Sequence, residues 1–168
     1  MTIRVETKTG PVTKSLRAPY ADVKVTVRRL RTPEWDTARE AAQAILRDDG
    51  KLLELMLAHD LLPEGGVKAW RRLRDKEPVK YTQALMGLSL WLVAIEAMLL
   101  GVISWEGFVN AEGQPAPVSR EVLEVLCLDD ALSSQIMDVL GEAARLLIVE
   151  GKPSGVLPSG SSEPDLTA

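Results

Sequence analysis

The sequence predicts a mainly α-helical fold: a helical bundle around one long apolar central helix, with a short N-terminal β-strand or hairpin and a flexible C-terminal tail. Three observations carry this expectation. Apolar residues make up 46% of the 168, enough to bury a core. Leu, Ala, Val and Met dominate them, against four Trp, two Tyr and one Phe, a composition weighted towards strong helix formers. Ala84 to Ile103 form a twenty-residue apolar run, and segments on both sides of it repeat apolar residues every three or four positions.

Residues 1–21 are mixed polar and basic, broken by Gly10-Pro11 and Pro19, and read as an extended arm or a hairpin around Gly10-Pro11. A single domain is expected over 22–150. It opens with alternation from Asp22 to Arg31, where Val23, Val25 and Val27 share one face and Lys24, Thr26 and Arg28 the other, the pattern of a half-buried strand. Thr32-Pro33 then predicts a helix start, with Thr32 as the cap and Pro33 at the first helical position. Ala38, Ala41, Ala42, Ile45 and Leu46 share a face of that helix, and Asp49-Gly50 is expected to stop it. A short helix over Leu52–Leu62 runs into the turn Pro63-Glu64-Gly65-Gly66, followed by the basic stretch Lys68–Arg74.

The apolar run is expected to be a helix buried at the centre of the bundle. Asn110 to Pro117 form a loop, and Ser119 is placed to cap a helix of about ten residues containing Val122, Val125 and Leu126. Asp129 starts a further helix through Ile136, Val139, Leu140, Ala143 and Leu147, ended by Gly151 and Pro153. From Gly151 on, 10 of 18 residues are Gly, Pro or Ser, so 151–168 is expected to be a disordered tail.

The net charge of −4 divides unevenly. Residues 1–80 carry 17 Lys or Arg and 12 Asp or Glu, a net of +5; residues 81–168 carry 3 and 12, a net of −9. Mutual attraction of the two halves, within the fold or between subunits, is the preferred explanation. Cys127 is the sole cysteine, so no internal disulfide forms, and the first residues lack the apolar core of a signal peptide. A cytoplasmic protein is the expectation.

Catalytic chemistry finds no support. His59 is the only histidine, and its neighbour Asp60 does not make a site; Cys127 between Leu126 and Leu128 reads as an inert core thiol. One His and one Cys fall short of a zinc pattern, and phosphate-loop and dinucleotide motifs are absent. Glu121 and Glu124 read as a solvated helix face. No catalytic, cofactor-binding or metal-binding residue is assigned, no cofactor or small-molecule substrate is expected, and the protein is not expected to be an enzyme. Trp70 among Lys68, Arg71, Arg72 and Arg74 mixes a stacking ring with cations, the composition of a nucleic-acid surface. Trp70 and Leu73 at i, i+3 equally make a core-facing pair, and that reading is preferred. The apolar run is long enough to cross a bilayer, but it contains Glu96, and the flanking amphipathic helices need an apolar partner. A buried helix is therefore preferred to a membrane span.

Ile103 to Val125 resembles a pattern of the tail assembly chaperones of long-tailed bacteriophages. In that pattern a long helix ends in Trp-x-Gly and an apolar residue, followed by Asn or Asp, Gly, one or two prolines, and a Ser- or Thr-capped helix. The matching positions are Trp105, Gly107, Phe108, Asn110, Gly113, Pro115, Pro117 and Ser119. The resemblance implies a non-catalytic role: binding the helical tape-measure protein, or another tail protein, by laying apolar anchors against its stripes while the tail tube grows. Trp91, Leu99, Trp105 and Phe108 are the expected partner-binding residues, and a homo-oligomer is left open. The competing readings are a membrane-anchored protein spanning at 84–103 and a nucleic-acid-associated factor using the basic first half.

Overall fold

A computed structural model of the chain describes residues 3–6, 10–144 and 147–150, and these are mainly helical, with six helices and five short strands. The expected tail over 151–168 lies outside the described residues. The chain divides into two units, Met1–Lys8 with Leu146–Ala168 and Thr9–Arg145.

In the first unit β1 (Ile3–Glu6) pairs antiparallel with β5 (Leu147–Glu150), Ile3 opposite Glu150 and Glu6 opposite Leu147. This corrects the expected course of the last helix, which stops at Ala144 instead of running through Leu147. Ile148 and Val149 are β-branched and take a ladder partner from the other end of the chain, which no local periodicity reveals.

The second unit opens with β2 (Val12–Ser15) and β3 (Lys24–Val27), joined antiparallel with Val12 opposite Val27. The boundary expected at residue 21 thus falls inside a hairpin, whose turn lies over 16–23 and not at Gly10-Pro11. Leu16 is buried, and Tyr20 donates its hydroxyl to Asp129, which ties the turn to the start of the last helix. That bond raises the Tyr20 pKa and lowers that of Asp129. The alternation behind β3 is borne out: Val23, Val25 and Val27 are all buried.

Helix α1 (Thr32–Arg47) follows. Arg31 and not Thr32 occupies the cap position; the Glu34 carboxylate accepts the Arg31 amide at 2.7 Å and the Arg28 guanidinium at 2.6 Å. These bonds, led by the one to the Arg31 amide, hold Glu34 below the usual carboxylate range. Asp49-Gly50 does not merely end α1. Asp48 caps α2 (Asp49–Ala58), accepting from the Gly50 and Lys51 amides at 3.1 Å, so the break is also a start. Gly65 and Gly66 turn at positive φ into α3 (Gly66–Lys76), whose Trp70 is buried against Leu52, Met56 and Leu73 while Arg71, Arg72 and Arg74 face solvent.

The long helix α4 spans Pro78–Gly101 and packs against α1, α3, α5 (Arg120–Leu126) and α6 (Asp130–Ala144). Its two halves serve different clusters. Tyr81, Ala84, Leu85 and Leu88 close over α2 and α3, whereas Leu92, Ile95 and Met98 are fully buried. Ile95 and Met98 join a larger core with β3, α5 and α6. The expectation of a helix over 84–103 buried at the centre of the bundle is met only in part: Leu92 to Met98 are largely buried, but Met86 and Leu90 stay exposed, as does Val79 ahead of the expected run. The helix also ends earlier than expected. From Val102 the chain is extended as β4 (Val102–Glu106), pairing antiparallel with β3 to give a three-stranded sheet in the order β2-β3-β4. Trp105 therefore lies on a strand, not at a helix end. β-Branched Val102 and Ile103 suit that strand, and Gly107 turns out of it at a φ of +95°, where a Cβ would meet the Asp22 carbonyl at 2.9 Å.

The two caps expected downstream are present. Ser119 Oγ accepts from the Val122 amide at 3.4 Å, and Asp129 Oδ1 from the Leu132 amide at 3.0 Å. Helix α5 is shorter than expected, seven residues. Ion pairs join the basic first half to the acidic second: Lys14 to Glu142, Arg17 to Asp138 at 3.0 Å, and Lys24 to Glu106 at 3.6 Å. All are solvent-exposed, so each contributes little on its own.

Candidate functional site

Val79, Met86 and Leu90 stand at i, i+7 and i+11 of α4 and so share one face. Beside them α4 and α6 enclose an open groove of about 450 Å³. Gly87, Leu90, Trp91 and Ala94 line one side; Cys127, Asp130, Ser133, Ser134 and Met137 line the other. Its surface is chiefly apolar. Leu90 is 73% exposed and Met86 63%, so the apolar stripe continues out of the groove onto open surface.

Gly87 shapes the groove. Glycine in a helix interior is about 1 kcal/mol less favourable than alanine. Steric need does not explain it, since a Cβ built there meets nothing within 4 Å. Its lack of a side chain leaves the groove open.

Trp91 forms part of the wall and is braced from behind. The His59 ring meets it edge-on, with centroids 5.5 Å apart. His59 Nε2 lies 2.9 Å from Glu124 Oε2, and Arg120 Nη1 is 3.8 Å from Glu124 Oε1. Arg120 Nη2 donates to Glu96 Oε1 at 2.5 Å. The network joins the end of α2, the C-terminal part of α4 and the inward-facing Glu124 of α5, with the Glu96 side chain only 10% exposed and that of Glu124 12%. Glu124 is thus not on a solvated face as expected; Glu121 alone points out. Glu121 accepts from its own amide and from the Ser119 hydroxyl, which hold its carboxyl below the usual range. His59 and Glu124 carry no sequence signal, being 65 residues apart. The Glu96–Arg120 pair does carry one. A carboxylate in an apolar helix needs a cation, and Arg120 is the only Lys or Arg between residues 81 and 144.

Of the four expected partner-binding residues, only Trp91 lines the groove. Leu99 packs half-buried against the larger core. Trp105 and Phe108 meet edge-to-face at 5.1 Å, and Trp105 Nε1 donates to the Ala116 carbonyl at 2.7 Å. Asn110 Oδ1 accepts from the Glu112 and Gln114 amides. The residues behind the family resemblance therefore clasp the 107–118 loop onto the sheet, and their types are explained by that local work. Sequence reasoning missed Gly87, Leu90 and Met137.

Among the described residues no group of three or more His, Cys, Asp or Glu could hold a metal ion. Cys127 is buried and donates to Met98 Sδ at 3.6 Å. Burial pushes its thiol up to about 11, against a smaller opposing effect of the Ser133 hydroxyl. At about pH 8 the native thiol is expected to resist an aromatic disulfide reagent that labels the unfolded chain readily. Because the unfolded chain loses this proton first, stability should also fall as pH rises from the ordinary thiol value of 9.0 towards about 11. Equal labelling rates for native and urea-unfolded protein would contradict the burial.

Comparison with known proteins adds no relative: the chain matches no protein-family model, no curated protein and no solved structure.

Proposed function

We propose that the protein is a non-catalytic binder of apolar helical segments, acting in the cytoplasm as a tail assembly chaperone for a phage tape-measure protein. The observation that carries this reading is the apolar groove between α4 and α6, opened by Gly87 and continued by the exposed Met86 and Leu90. A helix laid there would cover the stripe and bring its own apolar anchors against Trp91 and Met137. In this reading α4 is the central helix of a bundle and the groove is where the bundle stands open. The tape-measure protein enters through the resemblance at Trp105 to Ser119, although Trp105 sits on a strand where the pattern has a helix end. Modest affinity suits the role, because tube subunits must displace the chaperone.

The test is a pull-down of a tape-measure fragment with the full chain and with Gly87→Leu. The leucine fills the groove yet raises helix propensity, so the variant should be more stable by about 0.8 kcal/mol in urea unfolding while retaining at least about tenfold less fragment. Equal retention by both proteins would rule out the groove.

A second reading rests on α4 itself, the one described helix long and apolar enough to cross a membrane. The exposed Val79, Met86 and Leu90 favour that reading, and the ion pair between Glu96 and Arg120 weighs against it. Sedimentation of the protein with membranes in a detergent-free lysate would support the membrane reading over the first.

A further inference from the structure

We infer that the groove selects an amphipathic helix whose apolar stripe is flanked by lysine or arginine; the inference rests on the groove-binding reading above. Charge complementarity around an apolar slot would set this selectivity. Asp130 is the only charged residue lining the groove, and no cation lies within 4.0 Å of it among the described residues.

Neither wall helix opposes that sign with a cation of its own beside the groove. From Tyr81 to Gly101, α4 has no Lys or Arg, and α6 carries Asp130, Asp138 and Glu142 with no cation at all. Across residues 81–144 nine carboxylates accompany the single Arg120, whose guanidinium faces Glu96 and Glu124. Asp138 and Glu142 are matched by Arg17 and Lys14 around a separate pocket, so Asp130 alone sets the sign within the groove. Ser133 and Ser134 add acceptors along the same wall.

An acidic amphipathic helix would thus bring like charge to Asp130, whereas a basic one would place its flank there while its stripe enters the slot. A second copy of this chain is a poorer occupant. Its exposed stripe of Val79, Met86 and Leu90 is accompanied by Lys80 alone, already held by Glu77 at 2.5 Å.

The experiment uses the full-length protein and two fluorescently labelled helical peptides of about 18 residues. Both carry the same leucine stripe, one flanked by lysines and the other by glutamates. At about 50 mM salt the lysine peptide should bind roughly tenfold tighter by anisotropy, and the ratio should shrink several-fold at about 500 mM. Asp130→Lys should narrow the ratio, and Gly87→Leu should weaken both peptides. Equal binding of the two peptides overturns the charge inference and leaves the groove reading standing. A lysine preference that survives undiminished in Gly87→Leu overturns it as well, since the acidic surface rather than the groove would be the site. If neither peptide binds, the groove reading fails and this inference with it. Concentration-dependent dimers abolished by Gly87→Leu would assign the groove to a second copy and overturn the proposal.

Discussion

Replacing Arg120 with alanine is expected to lower the unfolding free energy by about 3 kcal/mol. The reason is what the change leaves behind. Glu96 sits in the apolar part of α4 with its side chain 10% exposed, and the Arg120 guanidinium is its hydrogen-bond partner at 2.5 Å. Without that partner the carboxylate is buried and uncompensated, and Glu124 loses its neighbouring cation at the same time. Arg120 itself is 38% exposed on its side chain, so water reaches part of the site; the low end of the range for broken buried pairs applies. The pair need not be strongly stabilising for this to hold. A double replacement, Glu96→Met with Arg120→Met, should therefore be less destabilising than Arg120→Ala alone. Urea unfolding of the three proteins checks the ordering. If the double variant is the least stable, the network contributes net stability and an uncompensated Glu96 is not the main cost.

Gly101→Val should destabilise by a similar amount, about 3 kcal/mol, for an unrelated reason. At Gly101 the chain passes from α4 into β4, and its carbonyl accepts the Arg28 amide at 2.8 Å. A Cβ there would collide with Leu140 Cδ2 and stand 3.3 Å from Leu30 Cγ and Cδ1. Leu140 is fully buried and Leu30 nearly so, which leaves neither side chain free to withdraw. Thermal or urea unfolding measures the loss, and a neutral outcome would mean the core around Leu140 is looser than described. The contrast with Gly87 is instructive. Two glycines fourteen positions apart on one helix should respond to enlargement with opposite sign, because one faces packed side chains and the other open space.

Much of the local structure was legible in the sequence because its causes are local. Val23, Val25 and Val27 announced a half-buried strand, since side chains alternate across a strand whatever it pairs with. Ser119 and Asp129 announced helix starts, since a short side-chain acceptor satisfies amides two or three residues on. Trp70 with Leu73 announced a core-facing pair beneath exposed arginines, and Cys127 between two leucines announced a buried thiol. The mainly helical class followed from the preponderance of Leu, Ala and Met.

Other features depended on residues far along the chain. Val102–Glu106 read as the end of an apolar helix until β3 offered it a ladder, and Leu147–Glu150 read as helix until β1 did. Residue 21, expected to separate an arm from the domain, lies within the hairpin of β2 with β3 for the same reason. Trp105 and Phe108 were legible as anchors but not in their direction: they hold the chain's own loop.

The sequence by itself determined the mainly helical class, the helix starts at Ser119 and Asp129, and the apolar alternation of β3. Only the tertiary structure decided that Arg120 pairs with Glu96, that His59, held by Glu124, braces Trp91, and that one side of α4 is left uncovered beside α6. Capping and amphipathicity act over one or two turns of chain and leave a readable pattern. A groove is the space left between elements distant in sequence, so no run of residues encodes it.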